Sequence, residues 1–286
     1  MSDNSQKTPK ALKQGAGSNF VIPFAIVLIG SIIVFGITKM LQNERSHRDL
    51  VRELHSKTFG NRWVAAYELS KVISSKSIPE EDIPWLVENL EDLYDKAVDV
   101  RTKNFIIVAA GSLRSELCLG LLKRGLGEDD SGTVFHAIVA LSNFPKGIEF
   151  DWGQIISFLE SDDEGLVLSS MLTLATHQVK EAENLLIQKL TNSSKSVRYA
   201  AATGLIYYKN TKNQQVIREI LNIGDKQDGT NPFGPDKIYG LKINVLNALK
   251  VTGWNYFNED LRQSLERERD LKIVSKTREV LESLED

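Results

Sequence analysis

The chain has 286 residues, 42% of them hydrophobic and 26% charged, with a formal net charge of -3. That is apolar material for one long domain or two short ones beneath an ordinary soluble surface. The acidic balance argues against a nucleic-acid partner, which needs a dense basic patch, and a single cysteine, Cys118, excludes an internal disulfide framework.

Residues 1–19 are polar, with three lysines and several Ser, Asn, Gln and Gly, and read as a disordered tail. Phe20 to Thr38 are then 19 consecutive uncharged residues. At 1.5 Å per residue such a run reaches about 30 Å, the thickness of the bilayer's hydrocarbon core. A buried soluble helix is rarely apolar on all sides for five turns. A cleaved signal peptide has a shorter apolar region and an Ala-x-Ala-like site, whereas this run ends in Thr38-Lys39-Met40. The reading is an uncleaved transmembrane helix over 20–41. Positive charges on its two flanks tie, so the positive-inside rule does not orient it. Glu44, Asp49 and Glu53 dilute the C-terminal flank, which favours a cytoplasmic N-terminus and places the following domain on the far side. No pair of small residues four apart marks a helix-dimer seam, so the span reads as a tether.

Residues 42–59 read as a polar juxtamembrane helix or linker. His47 and His55 are eight apart, too far to share adjacent helical turns as metal ligands, and read as solvated. Beyond Gly60 and Asn61, apolar residues recur at helical spacing in pairs of segments with a period of about 32 to 44, the range of solenoid repeats. The spacing predicts helices over 83–92 and 98–113, 116–125 and 134–144, 153–159 and 166–175, and 181–190 and 197–208. A Gly/Pro-rich insertion, 224–235, separates 214–223 from 237–251. Segments 257–266 and 271–284 close the chain and are highly charged, as befits a terminal repeat with one face in water.

One local pattern recurs clearly. Arg62 is followed by Ala65, Ala66 and Leu69, and Arg198 by Ala201, Ala202 and Leu205, at identical offsets. Ile83-Pro84-x-Leu86, Asp95 and Val100-Arg101 supply a fuller unit. Together these residues resemble the HEAT-repeat pattern, which covers about residues 60–286. The pattern departs at Asn192, where an Asp is usual, and in the two middle repeats, where Thr133 and Gly165 stand near the Arg position. The resemblance implies an all-α fold: an α-solenoid of about six to seven HEAT-like helix pairs, preceded by the transmembrane helix. It also implies that the turn Asp and the helix Arg residues, Arg62, Arg101 and Arg198, form a ladder between neighbours. The Ala pairs would permit close helix approach, and the Leu would fill the core.

The sequence shows no Gly-rich phosphate loop, no Gly-x-Ser-x-Gly, no His-Glu-x-x-His and no cysteine pair. Cys118 lies in an apolar helix and reads as a buried structural thiol, His136 and His177 as core or surface histidines, and the four Trp as core anchors. Asp225 to Asn231 resemble a calcium loop only faintly, because alternating oxygen ligands are missing and Lys237 stands where the closing Glu belongs. No catalytic, cofactor or metal site is expected, and the chain reads as a non-enzymatic scaffold for other proteins. The alternative is a HEAT-like enzyme or enzyme subunit, since HEAT-like folds occur in bilin lyases and DNA glycosylases. The candidate partner site is the acidic turns. Stacking would align Asp92, Asp95, Asp99, Glu128, Asp129, Asp130, Asp162, Asp163 and Glu164 along one ridge able to receive a basic segment. The same residues suit helix N-termini, as caps and as partners of the dipole.

Overall fold

The structure is a computed structural model that describes residues 45–56, 58–75, 77–224 and 233–285. The expected tail at 1–19, the run at 20–41 and the calcium-like stretch at 225–231 lie outside the described residues. Residues 47–286 form one compact unit. Among the described residues every regular element is helical.

Among the described residues seven helix pairs follow one another. The first four are α1 (His47–Leu54) with α2 (Phe59–Ser74), α3 (Ile83–Lys96) with α4 (Val100–Leu113), α5 (Leu119–Leu126) with α6 (Ser131–Ser142), and α7 (Gly153–Ser157) with α8 (Glu164–Thr176). The last three are α9 (Lys180–Lys189) with α10 (Lys195–Tyr207), α11 (Gln214–Leu221) with α12 (Pro235–Thr252), and α13 (Asn258–Leu265) with α14 (Leu271–Glu285).

The second helices begin at recognisable caps. Asp99, Asp130, Asp163 and Ser194 each accept a hydrogen bond from a backbone N–H of the first turn, satisfying donors that the helix itself leaves orphaned. Several end in the left-handed conformation, at Arg114, Gln178, Lys209 and Gly253. After Gln178, Lys209 and Gly253, the next residue's N–H (Val179, Asn210, Trp254) returns to a carbonyl of the last turn.

From α2 to α14 each second helix packs on the second helix before and after it, while first helices chiefly meet the second helices beside them. The second helices are therefore the tighter, inner layer of the stack. They run parallel. Thr133 near the start of α6 bonds Asn104 near the start of α4, and His177 at the end of α8 bonds the Leu141 carbonyl at the end of α6. The core falls into two clusters that meet at α10. Ala201 and Leu205 on α10 face the preceding repeats, while Tyr199, Ala202 and Ile206 on the same helix face the following ones. The two units read at Arg62 and Arg198 are packed as their spacing predicts, with Ala65, Leu69, Ala201, Ala202 and Leu205 all buried.

The array begins earlier than residue 60. Leu50, Val51 and Leu54 are buried, and α1 packs on both α2 and α3, so 47–54 is the first helix of the first pair rather than a polar linker. His47 is correspondingly not solvated: its Nε2 lies 3.0 Å from Asp82, and the ring meets Trp85 edge-on at 6.1 Å. Arg48 joins the same cluster, 2.6 Å from Asp82 and 5.1 Å above the Trp85 ring. His55 is exposed.

Candidate partner-binding face

The acidic turn residues divide by role. Asp99, Asp130 and Asp163 are caps. Asp99 accepts from the Thr102 N–H and hydroxyl, both at 2.8 Å, and Asp130 likewise from Thr133 at 2.7 and 2.9 Å. Asp163 accepts from the N–H of Gly165 at 2.8 Å and of Leu166 at 3.3 Å. Burial works against ionisation of Asp99, but the Thr102 hydrogen bonds and Arg62, 3.8 Å away, outweigh it and hold its pKa below the usual range.

Asp95, Glu128 and Glu164 join repeats instead. Lys103 reaches both oxygens of Glu128 at 2.8 and 2.9 Å, the Tyr94 hydroxyl donates to it at 2.8 Å, and Arg124 pairs with Asp95. Lys103 and Arg124 also lie 5.3 and 4.9 Å from the Tyr94 ring, so five side chains close one inter-repeat lock. Lys103, then the Tyr94 hydrogen bond, lowers the Glu128 pKa, while burial pushes the Tyr94 phenol up. Glu164 accepts from Ser194 at 2.9 Å, and Asp92 pairs only within its own helix, with Lys96 at 2.7 Å. Asp129 and Asp162 are exposed and pair with no cation among the described residues.

The basic ladder differs from the one the HEAT resemblance implies. Arg62 does approach Asp99 of the next repeat. Arg101 does not take that role. It lies two residues after its cap where Arg62 and Arg198 lie four, so it is exposed, and Lys103 occupies the equivalent position. Arg198 donates to the Asn192 and Ser193 carbonyls at 2.7 and 3.0 Å, because Asn192 provides no carboxylate.

No group of three or more His, Cys, Asp or Glu side chains that could hold a metal ion stands among the described residues. Cys118 is buried in apolar surroundings and its thiol is pushed up to about 12, an inert state at neutral pH.

A feature that sequence reading missed lies on the inner face. Tyr67, Val108, Val139 and Leu172 each stand nine residues after the cap of their helix, at Thr58, Asp99, Asp130 and Asp163. The same offset reaches Thr203 on α10 and Ile243 on α12. Because the helices are parallel and stacked, these positions form one row along the exposed side of the second-helix layer. Tyr67 is 51% exposed, and Val108 and Val139 are each 38% exposed, with exposed Val64 and Phe135 and half-buried Phe105 and Leu168 beside them. Neither α4 nor α6 carries an acidic residue, and α8 carries only Glu164 at its start. The signal available in the sequence was an apolar residue nine positions after each cap, beyond those that the core buries.

No family model matches the sequence, and no curated protein is similar to it. The structure is similar to a chain of the complex of CpcE and CpcF of phycocyanin lyase from Nostoc sp. PCC7120. That likeness has a TM-score of 0.58 and 15% identity, and covers 84% of this chain and 94% of that one. It is also similar, at TM-score 0.42 and 14% identity, to an archaeal HEAT-like repeats protein from Thermococcus onnurineus NA1, over 84% of this chain and 97% of that one. The shared feature is the fold. The described residues form an all-α helical repeat, the fold that the first likeness shares. The expectation of a chain without enzymatic activity is corrected by the first likeness: this architecture serves within a lyase complex, so a HEAT-like fold is no argument against activity. Among the described residues no helix is long and apolar enough to cross a membrane.

Proposed function

We propose that the chain is a HEAT-like scaffold that holds a protein partner along its inner face, tethered to a membrane through residues 20–41. The observation that carries this reading is the apolar row from Tyr67 to Leu172, solvent-accessible on four successive second helices. Repeat solenoids use such inner surfaces for extended binding, and apolar groups aligned over several repeats give a partner continuous contact. The acidic turn residues flank the row at the helix N-termini, where Asp129 and Asp162 add charge able to steer a basic segment of the partner. The tether rests on the 19 uncharged residues from Phe20 to Thr38, and the charge dilution after them favours the repeats on the non-cytoplasmic side.

A second reading makes the bound partner another subunit of an enzyme, as the likeness to the phycocyanin lyase complex suggests. Both readings need the same face, so one experiment serves both. Full-length wild type, Val139→Asp and Glu88→Lys are compared by isotope-coded affinity capture, Glu88 being exposed on first helix α3. The partner should be depleted with Val139→Asp and retained with Glu88→Lys. Retention by both variants rejects the inner face. The tether is checked separately: the full chain should resist extraction by alkaline carbonate.

A further inference from the structure

Resting on the inner-face reading, we infer that its occupant is an amphipathic helix of about 20 residues, with basic side chains along one flank and acidic ones along the other. Three observations lead there. The first is spacing. Stacked helices lie about 8–10 Å apart and a docked helix rises 1.5 Å per residue, so successive repeats meet it about every five to seven residues. A row of single apolar contacts, Tyr67, Val108, Val139 and Leu172, is thus matched by a helix with one apolar stripe crossing four second helices, about 30 Å in all.

The second observation is the width of the row. Val64 with Tyr67, Phe105 with Val108, Phe135 with Val139 and Leu168 with Leu172 each give two apolar side chains on adjacent turns of one helix. That is a shallow trough of two side chains, suited to the apolar face of one helix and too uniform to read an extended strand residue by residue.

The third is charge. Parallel second helices put all their N-termini on one edge and all their C-termini on the other. The N-terminal edge carries Asp95, Asp129, Asp162 and the capping aspartates, with Arg101 an exposed cation among them. The C-terminal edge carries Lys71, Arg114, Lys146 and Lys209, all exposed. Charges so placed also suit the helix dipoles, yet Asp129, Asp162 and Arg114 are held in no ion pair among the described residues. A helix lying between the two edges meets opposite signs on its two sides, and a mixed-flank partner complements both at once.

The test uses the full chain in lipid nanodiscs, with empty nanodiscs as baseline, and fluorescence anisotropy of labelled 21-residue peptides. All peptides share one apolar stripe. One has Lys along one flank and Glu along the other, a second has Lys on both, a third has Glu on both, and a fourth is the mixed peptide with two central prolines. Reversing direction exchanges a helix's flanks, so a single mixed design suffices. The mixed peptide should bind about tenfold more tightly than either uniform one, the gain expected from a few exposed ion pairs, and the advantage should shrink as salt rises. Val139→Asp, or Tyr67→Asp at the most exposed position, should abolish binding, and the proline peptide should not bind. Equal binding of the three helical peptides overturns the charge assignment, and equal binding of the proline peptide overturns the helix. No binding by the mixed peptide overturns the inference altogether. The inner-face reading would still stand if Val139→Asp lost the native partner in affinity capture.

Discussion

Gly111 on α4 faces Ala140 on α6 so closely that a Cβ built on the glycine would stand 2.4 Å from the Ala140 Cβ and 2.8 Å from its Cα. Backbone cannot yield as a flexible side chain can, so this contact sets the distance between two second helices. Gly111→Ala should therefore destabilise by about 1–3 kcal/mol, although alanine is the better helix former. Gly240 on α12 is the control, since nothing lies within 4 Å of an added methyl. Gly240→Ala should stabilise by about 0.5–1 kcal/mol. Denaturant unfolding of the two variants should give opposite signs, and a stabilised Gly111→Ala would mean that the stack is looser than described.

The left-handed helix ends invite a second comparison. Lys209 has φ 53° and its side chain makes no hydrogen bond among the described residues, while Gln178 has φ 54° and its amide caps the Tyr207 carbonyl. Relief of the left-handed penalty, about 1–2 kcal/mol, exceeds the extra entropy of glycine in the unfolded chain. Lys209→Gly should raise stability by about 0.5–1 kcal/mol on thermal unfolding, and Gln178→Gly by less. A lower midpoint for Lys209→Gly would show that its side chain does more than sit in solvent.

How much of this was legible beforehand follows from the kind of signal. Helix pairs were readable because apolar residues recur at helical spacing, and the Arg62 and Arg198 units because alanine pairs at fixed offsets have one packing use. That α1 belongs to the array was missed because eight residues with only Leu50, Val51 and Leu54 apolar look like a solvated helix or linker until a neighbour covers them. The acidic ridge was visible as composition, but composition does not separate a capping Asp130 from an exposed Asp129. That difference is one residue of register. The inner row was hidden for a related reason: Val139 and Ile138 look alike in sequence, and only stacking buries one and exposes the other.

A buried ion pair near the C-terminus should be costly to break. Lys242 on α12 meets Glu268 at 2.5 Å with both side chains 5% exposed, and the other Glu268 oxygen accepts from the N–H of Arg269 and Asp270. Lys242→Met leaves that carboxylate desolvated and should cost about 3–5 kcal/mol. Adding Glu268→Gln to Lys242→Met should recover part of the loss, because the amide oxygen can still accept from the backbone. A cost under about 1 kcal/mol for Lys242→Met would mean that water reaches the pair.

His177 predicts an acid response. Its Nε2 bonds the Leu141 carbonyl at 2.9 Å, its ring lies 4.6 Å from that of Trp152, and its buried Nδ1 has no partner. Burial lowers its pKa, helped by nearby Lys146, against the raising effect of the carbonyl. The unfolded state thus takes up a proton at a pH where the folded state does not, so stability falls as pH drops below about 6.5. His177→Gln keeps a donor for the carbonyl and does not titrate, so its stability should stay flatter between pH 6.5 and the carboxylate range. An identical pH profile for wild type and His177→Gln would remove this histidine from the account.

The central claim is that the partner lies along the second helices, on the row nine residues beyond each cap. The most direct measurement places a photo-crosslinking residue at Val139 and, separately, at Glu88, in the full-length protein in its native cells. One dominant protein adduct is expected from Val139, repeated from Val108, and none from Glu88. Adducts from Glu88 with none from Val139 would contradict the claim and move the partner to the outer helices.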